Sequence, residues 1–184
     1  LSYMATAVIS ANEAIHYLHH IIPSMPIIIS TIVLLGLFAL LVIGGTSESA
    51  KVAIVIFIFH LSSLLILSAF IFYYLSQNGI GTFFSNWEFP AQGGSITKAI
   101  LFGFAASMLG VSGFESSANF VEEQKKGVFP KTLRNMWGIV SIINPLMAIF
   151  ALALFALPML KSDAYQNTLL IEMGEHVGGK GIAY

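Results

Sequence analysis

The chain has no cysteine, so disulfides and thiolate metal ligands are excluded and nothing about redox compartment can be read from it. Charge is nearly as scarce. Asp, Glu, Lys and Arg together make up 9% of 184 residues, against 57% hydrophobic residues and a mean hydropathy of +0.85. A soluble domain of this length does not normally carry so few charges. There is no basic stripe, which removes the electrostatic footprint of a nucleic-acid binder, and the formal net charge of -1 points to no particular partner. No low-complexity run and no internal repeat stand out. The first residue is Leu1, and the opening segment has no charged stretch of the signal-peptide kind. The expectation is an internal piece of a longer polytopic membrane protein, whose other parts would be its first partner.

What the chain does have is a series of long apolar runs separated by short polar breaks. They predict an all-α transmembrane helical bundle forming a single domain over 1–184, with spans at about 1–22, 27–43, 52–75, 98–121, 136–160 and 169–184. Pro23 and Pro26 mark the first connection. Tyr73 and Tyr74 suit a membrane interface at the end of the third run. Lys51, Lys125, Lys126, Lys131 and Arg134 fall on one side and Lys98 and Lys161 flank the other, so the loops 44–51 and 122–135 are expected to be cytoplasmic.

The fourth run is the unusual one. Gly110, Val111, Ser112, Gly113, Phe114 and Glu115 lie near its middle. Each glycine costs a helix about 1 kcal/mol relative to alanine, so a helix break at 98–124 is one reading. A break at that depth frees backbone groups that lipid cannot satisfy, and a bound solute can. The other reading is a glycine seam where two helices pack closely. Ser112 and Glu115 also have the spacing of a capping box for an inner half-helix.

His60 sits close to the centre of 52–75, with Ser62 and Ser63 just beyond it. An imidazole can take and release a proton near neutral pH. An ionisable group at that depth otherwise needs a hydrogen-bonding partner between helices. His16, His19 and His20 spell the HxxHH pattern of membrane di-iron desaturases, but such sites need many histidines from several segments, and only His60 and His176 remain. No metal site and no cofactor is expected. Glu13 and His16 share a helix face and are candidates for polar wall residues, whereas His19 and His20 also suit a watery interface.

The glycine motif, the acidic pair Glu122 and Glu123, the basic loop, and the run Phe129, Pro130, Lys131 resemble the sixth transmembrane helix and following loop of permeases in the amino acid, polyamine and organocation (APC) superfamily. In that register the chain is similar to the family from its third helix to the start of its eighth. The resemblance implies an inverted-repeat (5+5) transporter fold, and no enzyme. Gly110, Val111, Ser112, Gly113 and Phe114 would then bind the substrate, an amino acid or related small organic solute. Glu115 would act in the gate. His60 would take the coupling proton, at a place where some proton-coupled members carry a lysine. A multi-pass importer of the plasma membrane, working by alternating access within the lipid bilayer, is the implied function. The loop departs from the family pattern in carrying Lys125, Lys126 and Gly127 before Pro130. Relatives of the same fold carry potassium or other inorganic ions, which gives the alternative substrate class. A desaturase-like enzyme and a membrane subunit that transports nothing are the alternatives from other classes.

Overall fold

A computed structural model describes residues 2–44, 46–90, 94–109, 121–122 and 124–183. The described residues are helical, with no strand among them. Helix α1 (Ser2–Ile21) is followed by α2 (Ile27–Ile43), α3 (Thr46–Asn78), the short α4 (Gly81–Asn86), α5 (Ile96–Leu109), α6 (Val128–Leu154), the single turn α7 (Leu157–Leu160), α8 (Asp163–Gly178) and α9 (Lys180–Ala183). Two of these are long and apolar enough to cross a membrane, Lys51–Asn78 within α3 and Val128–Leu154. At 1.5 Å per residue they measure about 42 and 40 Å, more than the hydrocarbon thickness. Ile27–Ile43 and Ile96–Ala105 are apolar but shorter.

Local chemistry accounts for the boundaries. The α1–α2 turn is closed by the His19 imidazole, whose Nδ1 donates to the Met25 carbonyl at 2.8 Å. Pro26 then stands in an extended conformation before α2, where a missing N–H costs nothing. Inside the apolar helices the hydroxyls are spent on their own backbone: Thr31 on the Ile27 carbonyl, Ser63 on that of His60, Ser68 on that of Leu64, at 2.7 to 2.9 Å. This satisfies polar atoms where neither lipid nor an apolar core would. Helix α3 ends at Gly79, whose φ of 79° is the left-handed conformation suited to a helix stop. Gly127, with φ 81°, precedes α6.

The helices outlast the apolar runs. Helix α3 starts at Thr46 and α6 at Val128, so the polar stretches 44–51 and 122–135 are largely first turns rather than open loops. A helix can continue into water beyond its apolar length, where exposed first-turn amides meet solvent. The opposite correction applies to 136–160. Helix α6 stops at Leu154 because Phe155 and Ala156 are extended, and Pro158 then begins α7. Pro145 is carried within the uninterrupted α6. Helix α8 starts at Asp163, six residues before the expected 169, and Thr168 departs from helical geometry inside it.

The core lies at one end of the molecule. Leu67 and Ile71 of α3, Phe150, Ala151 and Leu154 of α6, Phe155, and Met173 of α8 form a single cluster in which Ile71 and Met173 are fully buried. Helix α8 lies against α1, α3 and α6. Aromatic edges reinforce this end. Phe72 meets Phe150 at 5.0 Å, Phe155 meets Tyr165 at 5.0 Å, and the His176 ring stands 5.2 Å from both Tyr74 and Phe155. Asn86 ties the break between α6 and α7. Its Nδ2 donates to the carbonyls of Leu152 and Phe155 at 2.8 and 2.9 Å, and its Oδ1 accepts the Leu157 N–H at 2.8 Å.

Candidate functional site

On α1, Glu13, Tyr17 and His20 recur at intervals of four and three residues and so occupy one face. On α3, His60, Ser63, Leu64 and Leu67 do the same. These two faces and the middle of α8 border a cavity of about 670 Å³ that is open to one side, where His60 and Ser63 are exposed. Glu13 and Tyr17 line it from α1, His60, Ser63 and Leu67 from α3, and Leu170 and Ile171 from α8. That size is within the range of small-molecule sites, which are mostly apolar with a few placed polar groups.

Helix α8 departs from helical geometry at Thr168, two residues before Leu170 in the cavity wall. The partly buried Tyr17 side chain stands beside Leu170, where α1 meets α8 at the cavity. A turn further along, His20 Nε2 stands 3.9 Å from Glu175 Oε1, both side chains about one third exposed. That contact joins α1 and α8 beside the cavity without lining it.

Of the residues singled out in the sequence, His60 and Glu13 are brought to this one cavity. His16 is not among the residues lining it. The HxxHH histidines do not act as a group: His19 closes the α1–α2 turn and His20 faces Glu175. Among the described residues no three His, Cys, Asp or Glu side chains are placed to hold a metal ion. Gly110, Val111, Ser112, Gly113, Phe114 and Glu115 lie outside the described residues. Sequence reasoning missed Tyr17 and Leu170. Tyr17 follows Glu13 by one helical turn and was legible as a face neighbour, whereas nothing in the local sequence shows that α8 would meet it.

Apolar helices of spanning length and hydroxyls satisfied within their own helices fit an all-helical membrane protein, and a partly polar cavity lies between three of those helices. Over residues 1–184 the chain matches the family model described as amino acid permease, and it belongs to that family. No curated protein and no solved structure shows a significant match. Membership makes the chain a membrane protein for transport of amino acids or related solutes, and places it among transporters rather than enzymes.

Proposed function

We propose that the protein imports amino acids or related small organic solutes across the plasma membrane by alternating access, driven by protons. The residues 44–51 and 122–135 face the cytoplasm in this reading. Substrate is held at Gly110, Val111, Ser112, Gly113 and Phe114, with Glu115 in the gate, and His60 carries the coupling proton. The observation that carries the reading is that His60, the one histidine deep in a spanning helix, lines a cavity between helices of an amino acid permease rather than packing into the apolar core. Energetically, a proton on His60 and a bound solute each move the protein between its two arrangements only by their differential affinity for them.

The test is uptake of a labelled amino acid mixture into proteoliposomes, with and without an inward proton gradient, for the wild type and His60→Gln. Gradient-stimulated uptake in the wild type that is lost in His60→Gln is the expected result. Stimulated uptake that survives His60→Gln would move coupling elsewhere. Potassium flux with no amino acid uptake would overturn the substrate class.

A further inference from the structure

Between Glu123 and Asp163 the chain carries no carboxylate, yet Lys125, Lys126, Lys131 and Arg134 follow one another there within ten residues. All four side chains are exposed. The Val128 N–H donates to the Lys125 carbonyl at 3.1 Å and Gly127 takes a φ of 81°, so a tight turn keeps Lys125 and Lys126 beside the start of α6. Lys131 and Arg134 stand on the helix itself, three residues apart and so neighbours on its surface. Among the described residues none of the four forms an ion pair. The carboxylates nearest in sequence, Glu122 and Glu123, are too few to offset four cations, and α6 has no acidic residue in its first turn.

Depth in the membrane supplies the partner. A hydrocarbon core of about 30 Å takes about 20 residues of upright helix. Counted back from Leu154, where α6 ends, that reaches Asn135. Residues 128–134 then extend about 10 Å beyond the core, into the layer of lipid headgroups. Trp137, 66% exposed, falls at the boundary, a depth that suits its ring. Ile142 and Ile149 follow Lys131 by three and five helical turns and so share its face, and both are exposed. A lipid whose tails run along that apolar stripe brings its phosphate to the level of Lys131 and Arg134.

We propose that the Lys125 to Arg134 end of α6 is a docking surface for anionic phospholipids of the surrounding bilayer. The Arg134 guanidinium is a planar fork that matches two phosphate oxygens, and Lys131 offers a point charge whose methylenes lie over the apolar boundary. Lys125 and Lys126 add long-range attraction from the preceding turn. A zwitterionic lipid presents the same phosphate, but its own ammonium is repelled by the same cations, so the surface selects headgroups of net negative charge. The inference needs only that α6 crosses a bilayer, and it is independent of the solute carried and of the coupling ion.

The chain has two tryptophans, Trp87 and Trp137, so Trp87→Phe leaves Trp137 as the reporter beside the patch. The full chain carrying that change is placed in vesicles of phosphatidylcholine and phosphatidylglycerol, with bromine in the tails of one lipid at a time, and quenching of Trp137 fluorescence gives the relative occupancy of the two lipids. Phosphatidylglycerol is expected to be favoured roughly fivefold, the ratio that about 1 kcal/mol for a basic residue near an anionic surface yields. Added salt should shrink that preference. Lys131→Gln with Arg134→Gln should bring the ratio toward one, whereas Lys131→Arg with Arg134→Lys should keep most of it. Lys98→Gln, outside the patch, should leave the ratio standing. A ratio near one in the Trp87→Phe chain, or a ratio unmoved by the double Gln change, would overturn the proposal. Loss of preference in Lys98→Gln would also overturn it, by assigning the effect to net charge. Release of brominated phosphatidylglycerol by millimolar glycerol 3-phosphate would identify a site for soluble phosphates instead and sink the lipid assignment, and failure to release it would support the bilayer as the source.

Discussion

Helices α3 and α6 each have two unlike halves. Toward Asn78 and Leu154 they are packed, with Ile71 and Phe150 inside the core, while toward Thr46 and Val128 the same helices are bare, Phe59 being 76% exposed and Trp137 66%. The first turns at the bare ends carry Glu48, Lys51, Lys131 and Arg134, but beyond them large apolar residues continue through both halves. The difference comes from what lies alongside. At the packed end α4 lies against α6, α8 lies against both long helices and α7 lies against α8, and their side chains supply dispersion partners and hydrogen bonds that a pair of helices cannot supply to each other. In a membrane protein an exposed apolar face is not itself destabilising, because lipid tails are as apolar as leucine. Order at the packed end therefore depends on shape and on polar ties rather than on hydrophobicity alone.

Truncation should separate the halves most sharply. Ile71→Ala removes a fully buried side chain and is expected to cost about 2 to 5 kcal/mol through lost transfer energy and the cavity left behind. Phe59→Ala in the bare half should cost about 1 kcal/mol or less, because surface substitutions away from packed features have small effects. Thermal unfolding in detergent micelles gives both values. Equal losses would mean that the two halves are packed alike.

A second test removes a polar tie and no apolar surface. Asn86→Ala strands the carbonyls of Leu152 and Phe155 and the N–H of Leu157. With roughly 1 kcal/mol for each bond and more for any group left unsatisfied, a loss of about 2 to 4 kcal/mol is expected. Asn86→Asp keeps the acceptor for Leu157 and should fall between. A loss under about 0.5 kcal/mol in Asn86→Ala would show that the packed end is held by its apolar cluster without the tie.

The smallest effect is expected at the rim of the packed end. His20 and Glu175 are partly exposed and 3.9 Å apart, so a double-mutant cycle with His20→Ala and Glu175→Gln should return a coupling of about 1 kcal/mol or less. Coupling should decline further as salt is raised. A value above about 2 kcal/mol would make this link a principal support of α8 rather than an edge contact.

Much of the fold was legible along the chain. The runs that became α2, α3 and α6 announce themselves by length and hydropathy, and Pro26 and Gly79 sit where those helices start and stop. The differences between apolar limits and helix ends share a cause. Apolar runs report what enters the hydrocarbon, whereas helices end where backbone hydrogen bonding ends, so α3 and α6 reach past their apolar limits into the residues of 44–51 and 122–135. The break at Phe155 escaped notice because Phe155, Ala156 and Leu157 are as apolar as a span; it exists because Asn86, 69 residues away, satisfies the carbonyl exposed there.

The candidate site divides in the same way. His60 was visible because a histidine in the middle of an apolar run is conspicuous against its neighbours, and Glu13 because a carboxylate in α1 is equally so. The family, too, was written in local residues, the glycine motif with the acidic and basic groups that follow it. What sequence alone determined is thus the solvent, the helices and the class of protein, since each depends on side-chain transfer energies and backbone propensities that act over a few residues. Tertiary structure alone decided that Glu13 and His60 share one cavity, that Leu170 stands in its wall with Tyr17, and that His19 and His20 separate to different partners. Those outcomes depend on which helix faces meet, and in an apolar surround many faces are nearly equal in hydrophobicity, so only packing and the need to satisfy each polar atom choose among them.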